Sequence, residues 1–275
     1  MAQGVNPDRL DLQQLAWLRE WVEKGTDMSK VVEELRRRGL SDRAILAGLE
    51  AVRPRGNALA NGAMQSLPIF RRAPPGLRRL AAPGIDLYTL EDFMSPAECS
   101  KLIEVVMPAL SPSTLADVTY DTQFRTSRTA NTRDLQSGVV DAIEARICRT
   151  LGINPTYAPD LQVQHYDVGQ QFKPHWDYFE PGSTAYQRHA GIRGNRTWTF
   201  MVYLNEGMEG GATRFTEVDL AVQPKVGLAL FWNNLLADGS PNIATKHCGE
   251  PVTRGHKIII TKWFRVHGDG PVLLD

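Results

Sequence analysis

His175 and Asp177 stand one residue apart, and His247 follows about 70 residues later. Together they set the tightest constraint on what this chain can fold into. On an extended segment successive side chains point to opposite faces, so His-x-Asp presents both groups on one face and turns Trp176 to the other. A third donor must then come from a distant strand that folds back beside the first, and Ala244-Thr245-Lys246-His247-Cys248 sits at a suitable place for it. Two imidazoles and one carboxylate can hold an iron(II) ion on one side and leave the opposite side open. The spacing alone occurs by chance in many chains, so the flanking sequence has to support it.

That sequence supplies strands. Leu161–Tyr166, Phe172–Asp177, Thr197–Leu204, Ala212–Thr216, Leu220–Pro224, Leu228–Trp232 and Lys257–Val266 are short, rich in β-branched and aromatic residues, and separated by Gly, Pro or Asn turns. Two helices precede them. Ser95-Pro96 opens the first, with Cys99, Leu102, Ile103 and Val106 inward; the second runs from about Ser137 to Leu151, with Val140, Ile143, Ile147 and Leu151 inward. Helices followed by a run of short strands predict an α+β domain: a β-sandwich or jelly roll supported by helices, with a dry pocket between two sheets. His175 and Asp177 fall near one mouth of that pocket.

Three segments are expected along the chain: residues 1–53 as three short helices, 54–84 as a linker, and 85–275 as the main domain. Asn6 and Pro7 suit the start of the first helix and Gly25 its end, with Leu15, Leu18 and Val22 as its stripe beside Trp17 and Trp21. Met28, Val31, Val32 and Leu35 give the second helix its face, Arg36, Arg37 and Arg38 suit its C-terminal end as a solvated terminus, and Gly39 can cap it. Ser41 caps a third, with Ile45, Leu49 and Val52 inward. This segment reads as a module that binds a partner or mediates assembly. The linker is marked by Pro54, Pro68, Pro74, Pro75 and Pro83 and by paired arginines, without a hydrophobic period.

Composition narrows the function classes. A formal net charge of zero gives no whole-chain electrostatic reason to expect nucleic acid or an acidic membrane as partner. Cys99, Cys148 and Cys248 are odd in number and lack C-x-x-C spacing, which argues against a disulfide framework or zinc knuckle and favours a reducing compartment. Without an apolar run of spanning length or a basic leader at the N-terminus, the cytoplasm is the expected location.

Lys257 adds a second chemical clue. Lys257, Ile259, Thr261 and Trp263 share one face of a strand whose other face carries Ile258, Ile260 and Phe264, so the strand is covered on both sides. A lysine there needs an anion to offset its desolvation, unless its ammonium snorkels to water. Beside a three-ligand facial metal site of the non-haem iron oxygenase type, the anion reading prevails. A dicarboxylic co-substrate chelating the metal at one end would place its far carboxylate at Lys257, with Arg196 as the next cationic candidate. Tyr166 either donates its hydroxyl to the same carboxylate or packs in the core. Cys248 reads as a buried small hydrophobe, and Met201, Phe200 and Tyr203 as core. His165, His189, His256 and His267 lack ligand spacing and read as surface or packing residues.

Leu161-Gln-Val-Gln-His-Tyr166, Pro174-His-Trp-Asp-Tyr-Phe179, Arg196-Thr-Trp-Thr-Phe-Met-Val-Tyr-Leu-Asn205, Gly210-Gly-Ala-Thr-Arg-Phe215, Pro224-Lys-Val-Gly-Leu-Ala-Leu-Phe-Trp-Asn233 and Pro251-Val-Thr-Arg-Gly-His-Lys257 together resemble the catalytic domain of collagen-type prolyl 4-hydroxylases, its bacterial members above all. The likeness runs from about Ile85 to Val266 and includes Arg125-Thr-Ser127. It implies a double-stranded β-helix, with Fe(II) as cofactor, 2-oxoglutarate and O2 as co-substrates, and ascorbate as reductant. By the same likeness His175, Asp177 and His247 are the metal ligands, Lys257 pairs with the distal carboxylate of 2-oxoglutarate, and Tyr166 is its second donor. Trp263 joins the co-substrate site, while Arg125, Ser127, Phe172 and Arg196 face the substrate. Hydroxylation of proline in a peptide or protein is the implied reaction, with succinate and CO2 released.

Two departures bear on specificity: Phe172 stands where these enzymes commonly carry a tyrosine, and Ile258 where a tryptophan often follows the lysine. A free amino acid or other small molecule is the alternative substrate, and a catalytically silent jelly-roll binding module the alternative of another class. Glu180–Asn195 and Asp121–Asp134 are expected to form a lid over the substrate, against the plainer reading of a variable surface loop.

Overall fold

The computed structural model describes residues 10–23, 28–41, 44–45, 48, 73–115, 121–135, 137–236 and 238–274. Helices α1 (Leu12–Glu23) and α2 (Met28–Arg37) open the described chain. Leu10, Leu18, Val31, Leu35, Leu40, Ala44 and Ile45 form a small core of their own, with Leu15 and Trp17 packed against it. Asp11 caps α1: its carboxylate accepts from the Gln14 N–H while Gln14 Oε1 accepts from the Asp11 N–H. The expected roles of Asn6, Pro7, Gly25, Leu49 and Val52 fall outside the described residues. The arginine run is engaged, because Glu34 accepts from both Arg37 and Arg38, and Arg38 also lies 4.2 Å over the Trp17 ring.

The sheets begin earlier than the sequence suggests. Strand β1 (Leu77–Arg79) lies inside the stretch read as linker and pairs antiparallel with β2 (Leu87–Leu90). Three residues amid prolines carry no periodic signal, so only the pairing reveals β1. Next come α3 (Pro96–Val106), β3 (Ser111–Pro112), β4 (Arg128–Asn131), α4 (Gly138–Leu151), β5 (Gln162–Tyr166), β6 (Phe172–His175) and β7 (Arg196–Tyr203). The remaining strands are β8 (Glu209–Gly210), β9 (Thr213–Phe215), β10 (Leu220–Val222), β11 (Ala229–Asn233), β12 (His247–Gly249), β13 (Val252–Arg254) and β14 (Lys257–Arg265). An eight-stranded sheet runs β1-β2-β11-β7-β14-β5-β4-β3 and a four-stranded one β10-β9-β12-β6. These are the two layers of a jelly roll.

Alternation along β7 and β14 separates two interiors. Trp198, Phe200, Val202, Ile258, Ile260 and Phe264 face α3 and α4, whose Cys99, Leu102, Ile143 and Ile147 complete that core. Met201, Tyr203 and Ile259 turn the other way, toward Phe215 and Trp232, and line the space between the sheets. Both helices end on local chemistry. Ser95 and Glu98 form a capping box on α3, and Gly152, in the left-handed conformation at φ 68°, ends α4. Arg146 of α4 bonds the same Glu98, which ties the two helices together.

Both expected lid segments are held down. Within Asp121–Asp134, Arg128–Asn131 is a strand of the large sheet. Residues 124–126 run along β6: Thr126 N–H donates to Gln171 O (3.1 Å), Lys173 N–H donates to Phe124 O (2.9 Å), and Arg125 bridges Phe172. Glu180–Asn195 contains a π-helical turn at Tyr186–Ala190. Phe179, Ala185, Ala190 and Tyr186 form a small apolar cluster there, and Arg265 donates to the carbonyls of Gly194 and His189.

Candidate active site

His175 ends β6 and His247 begins β12, and the two are directly paired across the small sheet. Asp177 follows β6 by two residues. Its Oδ1 lies 3.7 Å from His175 Nε2 and its Oδ2 3.9 Å from His247 Nε2. One donor atom from each of the three residues lies within 4.8 Å of the others, the one such group of three found among the described residues. Each imidazole is oriented by a backbone carbonyl: His175 Nδ1 is 2.8 Å from Lys173 O, and His247 Nδ1 is 2.9 Å from Thr245 O. That bond places the proton on Nδ1 and leaves the Nε2 lone pair toward the shared centre. Burial, and then the facing His247 ring, push the His175 imidazole down to about 3, so it stays neutral and ready to ligate. Burial works to raise the Asp177 carboxyl, yet His247, His175, Arg196 and the Thr199 hydroxyl together hold it below the usual carboxylate range. The residues fit iron(II): two imidazole nitrogens and one carboxylate oxygen converge on one centre.

A cavity of about 40 Å³ adjoins the triad, lined among others by Gln164, Tyr166, Phe172, Thr199, Trp232 and Lys257. Lys257 is 1% exposed, its Nζ donates to Gly211 O at 3.0 Å, and it lies 4.4 Å over the Tyr166 ring. Among the described residues no carboxylate lies within ion-pairing distance of it, and burial pushes its ammonium down to about 8. Snorkelling to water is ruled out by that burial. The Tyr166 hydroxyl donates to Gln164 Oε1 at 2.8 Å, so serving as a second carboxylate donor requires it to turn. Trp263, Ile259 and Thr261 line the cavity beside Lys257, as their alternation predicts.

The expected substrate residues divide. Phe172 lines the cavity, stacks on His175 with ring centroids 3.5 Å apart, and has the Arg125 guanidinium 4.9 Å from its ring centre. Arg125 donates to Ser127 Oγ, Thr129 Oγ1 and Thr114 O, which fixes it in the loop it anchors. Arg196 is not among the residues lining the cavity. It donates to the backbone oxygen of Asp177 at 3.2 Å and stacks 3.9 Å over Trp263. Sequence reasoning missed Thr199, Gln164 and Asn234. A signal existed for the first two: Thr199 shares the parity of Met201 and Tyr203 on β7, Gln164 that of Tyr166 on β5, and a buried polar group must be satisfied.

The fold and the triad agree with a family model: residues 161–265 match that of the 2OG-Fe(II) oxygenase superfamily. Members of that superfamily use Fe(II), 2-oxoglutarate and O2. Among its relatives, prolyl 4-hydroxylase subunit alpha-1 of Rattus norvegicus is 35% identical over 186 residues, covering 66% of this chain and 35% of the relative. Subunit alpha-3 of Homo sapiens is 35% identical over 191 residues, covering 68% of this chain and 34% of the relative. The chain thus spans about a third of the length of these curated relatives. In three dimensions the viral collagen prolyl hydroxylase of Paramecium bursaria Chlorella virus-1, solved with 2OG, superposes with a TM-score of 0.54 at 26% identity. That match covers 68% of this chain and 99% of the viral one.

Proposed function

We propose that the protein is an Fe(II)- and 2-oxoglutarate-dependent hydroxylase acting on a prolyl residue in a peptide or protein, with succinate and CO2 as co-products. The observation that carries this reading is the buried Lys257 ammonium, without a carboxylate partner among the described residues, in the same cavity as the His175–Asp177–His247 cluster. A dicarboxylate spanning the two satisfies both. Bound at the triad, the metal supplies the coupling of 2-oxoglutarate decarboxylation to oxygenation of an unactivated C–H bond. Lys257 and Tyr166 take the distal carboxylate, and Trp263 closes the cavity beside them. Phe172, which lines the cavity beside His175, is the apolar contact for a pyrrolidine ring, and Arg125, bonded to Ser127, is the polar group next to it. A proline-rich segment suits this role because its extended helix is already ordered before binding.

Ascorbate as reductant, a cytoplasmic location and a partner-binding or assembly role for the N-terminal helices belong to the same proposal. The location is supported by three free cysteines, and the helical role by the separate core of α1 and α2. A chain truncated before Ala73, which spares β1, should still turn over 2-oxoglutarate; loss of folding would make the helices part of the domain's core.

The test is mass spectrometry of a peptide library incubated with the protein, Fe(II), ascorbate and 2-oxoglutarate, together with succinate release. The expected result is one added oxygen at C4 of proline in extended peptides. Oxygen only on other residues, or only on free amino acids, overturns the prolyl assignment; no succinate from any pool despite bound iron favours a binding module.

A further inference from the structure

We infer that Asn234 is a positioning residue of the metal centre: through a chain of hydrogen bonds with fixed direction, it commits one oxygen of Asp177 to the protein and leaves the other for the metal. The inference rests on the iron site proposed above and goes beyond its ligands. Asn234 follows β11 and is fully buried, as is Thr199, while Trp232 is 1% exposed. Trp232 Nε1 donates to Asn234 Oδ1 at 2.9 Å, Asn234 Nδ2 donates to Thr199 Oγ1 at 2.8 Å, and Thr199 Oγ1 donates to Asp177 Oδ2 at 2.7 Å.

The indole fixes every proton in this chain. An indole N–H can only donate, so the Asn234 atom facing it must be the carbonyl oxygen. The amide then has to present its NH2 to Thr199. Thr199 accepts there, so its own hydroxyl hydrogen is free to point at Asp177, an ionised group that can only accept. An amide orientation that is ordinarily ambiguous is therefore set by its neighbours. Because all of these groups are dry, each bond polarises the next.

The consequence lies in ligand count. With Oδ2 engaged by Thr199, Asp177 would offer Oδ1 as its one donor beside the two imidazoles, and a metal held there would keep more room for a co-substrate than one gripped by both oxygens. The same chain reaches the opposite ligand, since the Trp232 ring meets His247 edge-on at 4.8 Å. One amide thus orders both Asp177 and His247.

The experiment uses the full-length protein and Co(II), read by calorimetry and by the ligand-field absorption of bound cobalt, which reports coordination number without turnover. Thr199→Val removes the hydroxyl at nearly constant volume. Asn234→Asp keeps an acceptor for Trp232 but loses the NH2, so the Thr199 hydroxyl turns away from Asp177. Each is expected to weaken Co(II) binding by about 10–100-fold and to alter the absorption, whereas Thr199→Ser restores both. Wild-type affinity and spectrum in Thr199→Val overturn the inference, even if Asn234→Asp fails to fold. Equal losses in Thr199→Ser and Thr199→Val also overturn it, because packing rather than the hydroxyl would then be responsible. Failure of the wild-type protein to bind Co(II) at all instead strikes the metal-site reading itself.

Discussion

The metal end and the lysine end of the cavity differ in how their charges are balanced. At the metal end each ligand is held from behind by the protein: carbonyls hold both imidazoles, and Thr199 and the Arg196 guanidinium attend Asp177. At the other end Lys257 has one carbonyl and one ring face, and no opposing carboxylate among the described residues. Burying an unpaired ammonium costs stability, so its presence points to a ligand that brings the missing charge. One end is built in advance, and the other is completed by its ligand.

The largest effect expected from breaking this comparison is at the built end. His175→Ala, Asp177→Ala and His247→Ala should each reduce 2-oxoglutarate turnover to background, because two remaining donors hold iron poorly. A variant with near-wild-type turnover and stoichiometric metal would remove that residue from the ligand set. At the lysine end, Lys257→Ala should leave iron binding intact and raise the KM for 2-oxoglutarate. Loss of a charged hydrogen bond is worth about 2–3 kcal/mol, or roughly 30–150-fold. An unchanged KM would hand the role to another base.

The two ends should also separate by pH. Burial holds Lys257 at about 8 against an ordinary 10.5, so its charged form is disfavoured by the fold. The ligand-free protein therefore gains stability from this group as pH rises from about 8 to 10.5, while affinity for an anion falls. KM for 2-oxoglutarate should climb above pH 8, by up to about tenfold per unit, measured between pH 7 and 9.5. A flat profile would show that the ammonium stays charged throughout. The smallest effect is expected from Gly249→Ala, whose new Cβ would lie 3.1 Å from Lys257 Nζ. The ammonium is the free end of a flexible chain and can yield, so KM should rise only about 2–5-fold, in the range of mild substitutions. A rise as large as that of Lys257→Ala would mean the ammonium has no room to move.

Much of this site was legible because period-two alternation is rigid. It placed His175 with Asp177, and Lys257 with Ile259, Thr261 and Trp263, before any partner strand was known. What stayed hidden depends on which strand lies alongside. His247–Gly249 is too short to carry a strand pattern and is defined by its pairing with β6 and β9. Asn234 shows its role only when Trp232 and Thr199 are brought to either side of it. Arg196, considered from sequence as a second anion partner, instead braces Asp177 from behind because the register sets it opposite Arg265 and over Trp263. The early start of the large sheet was hidden for a similar reason, since β1 has no signal apart from β2.

The outer edge of β6 carries one more consequence. Open sheet edges invite another chain to pair with them. Here Phe124 and Thr126 already occupy the β6 backbone at Lys173 and Gln171. A peptide substrate of the kind proposed would find no ladder to extend along that stretch and would be gripped there through its side chains and shape. A polypeptide poor in N–H donors is the one least handicapped by such a rule. Proline, which has none, fits a doorway where hydrogen-bonded strand exchange is closed off.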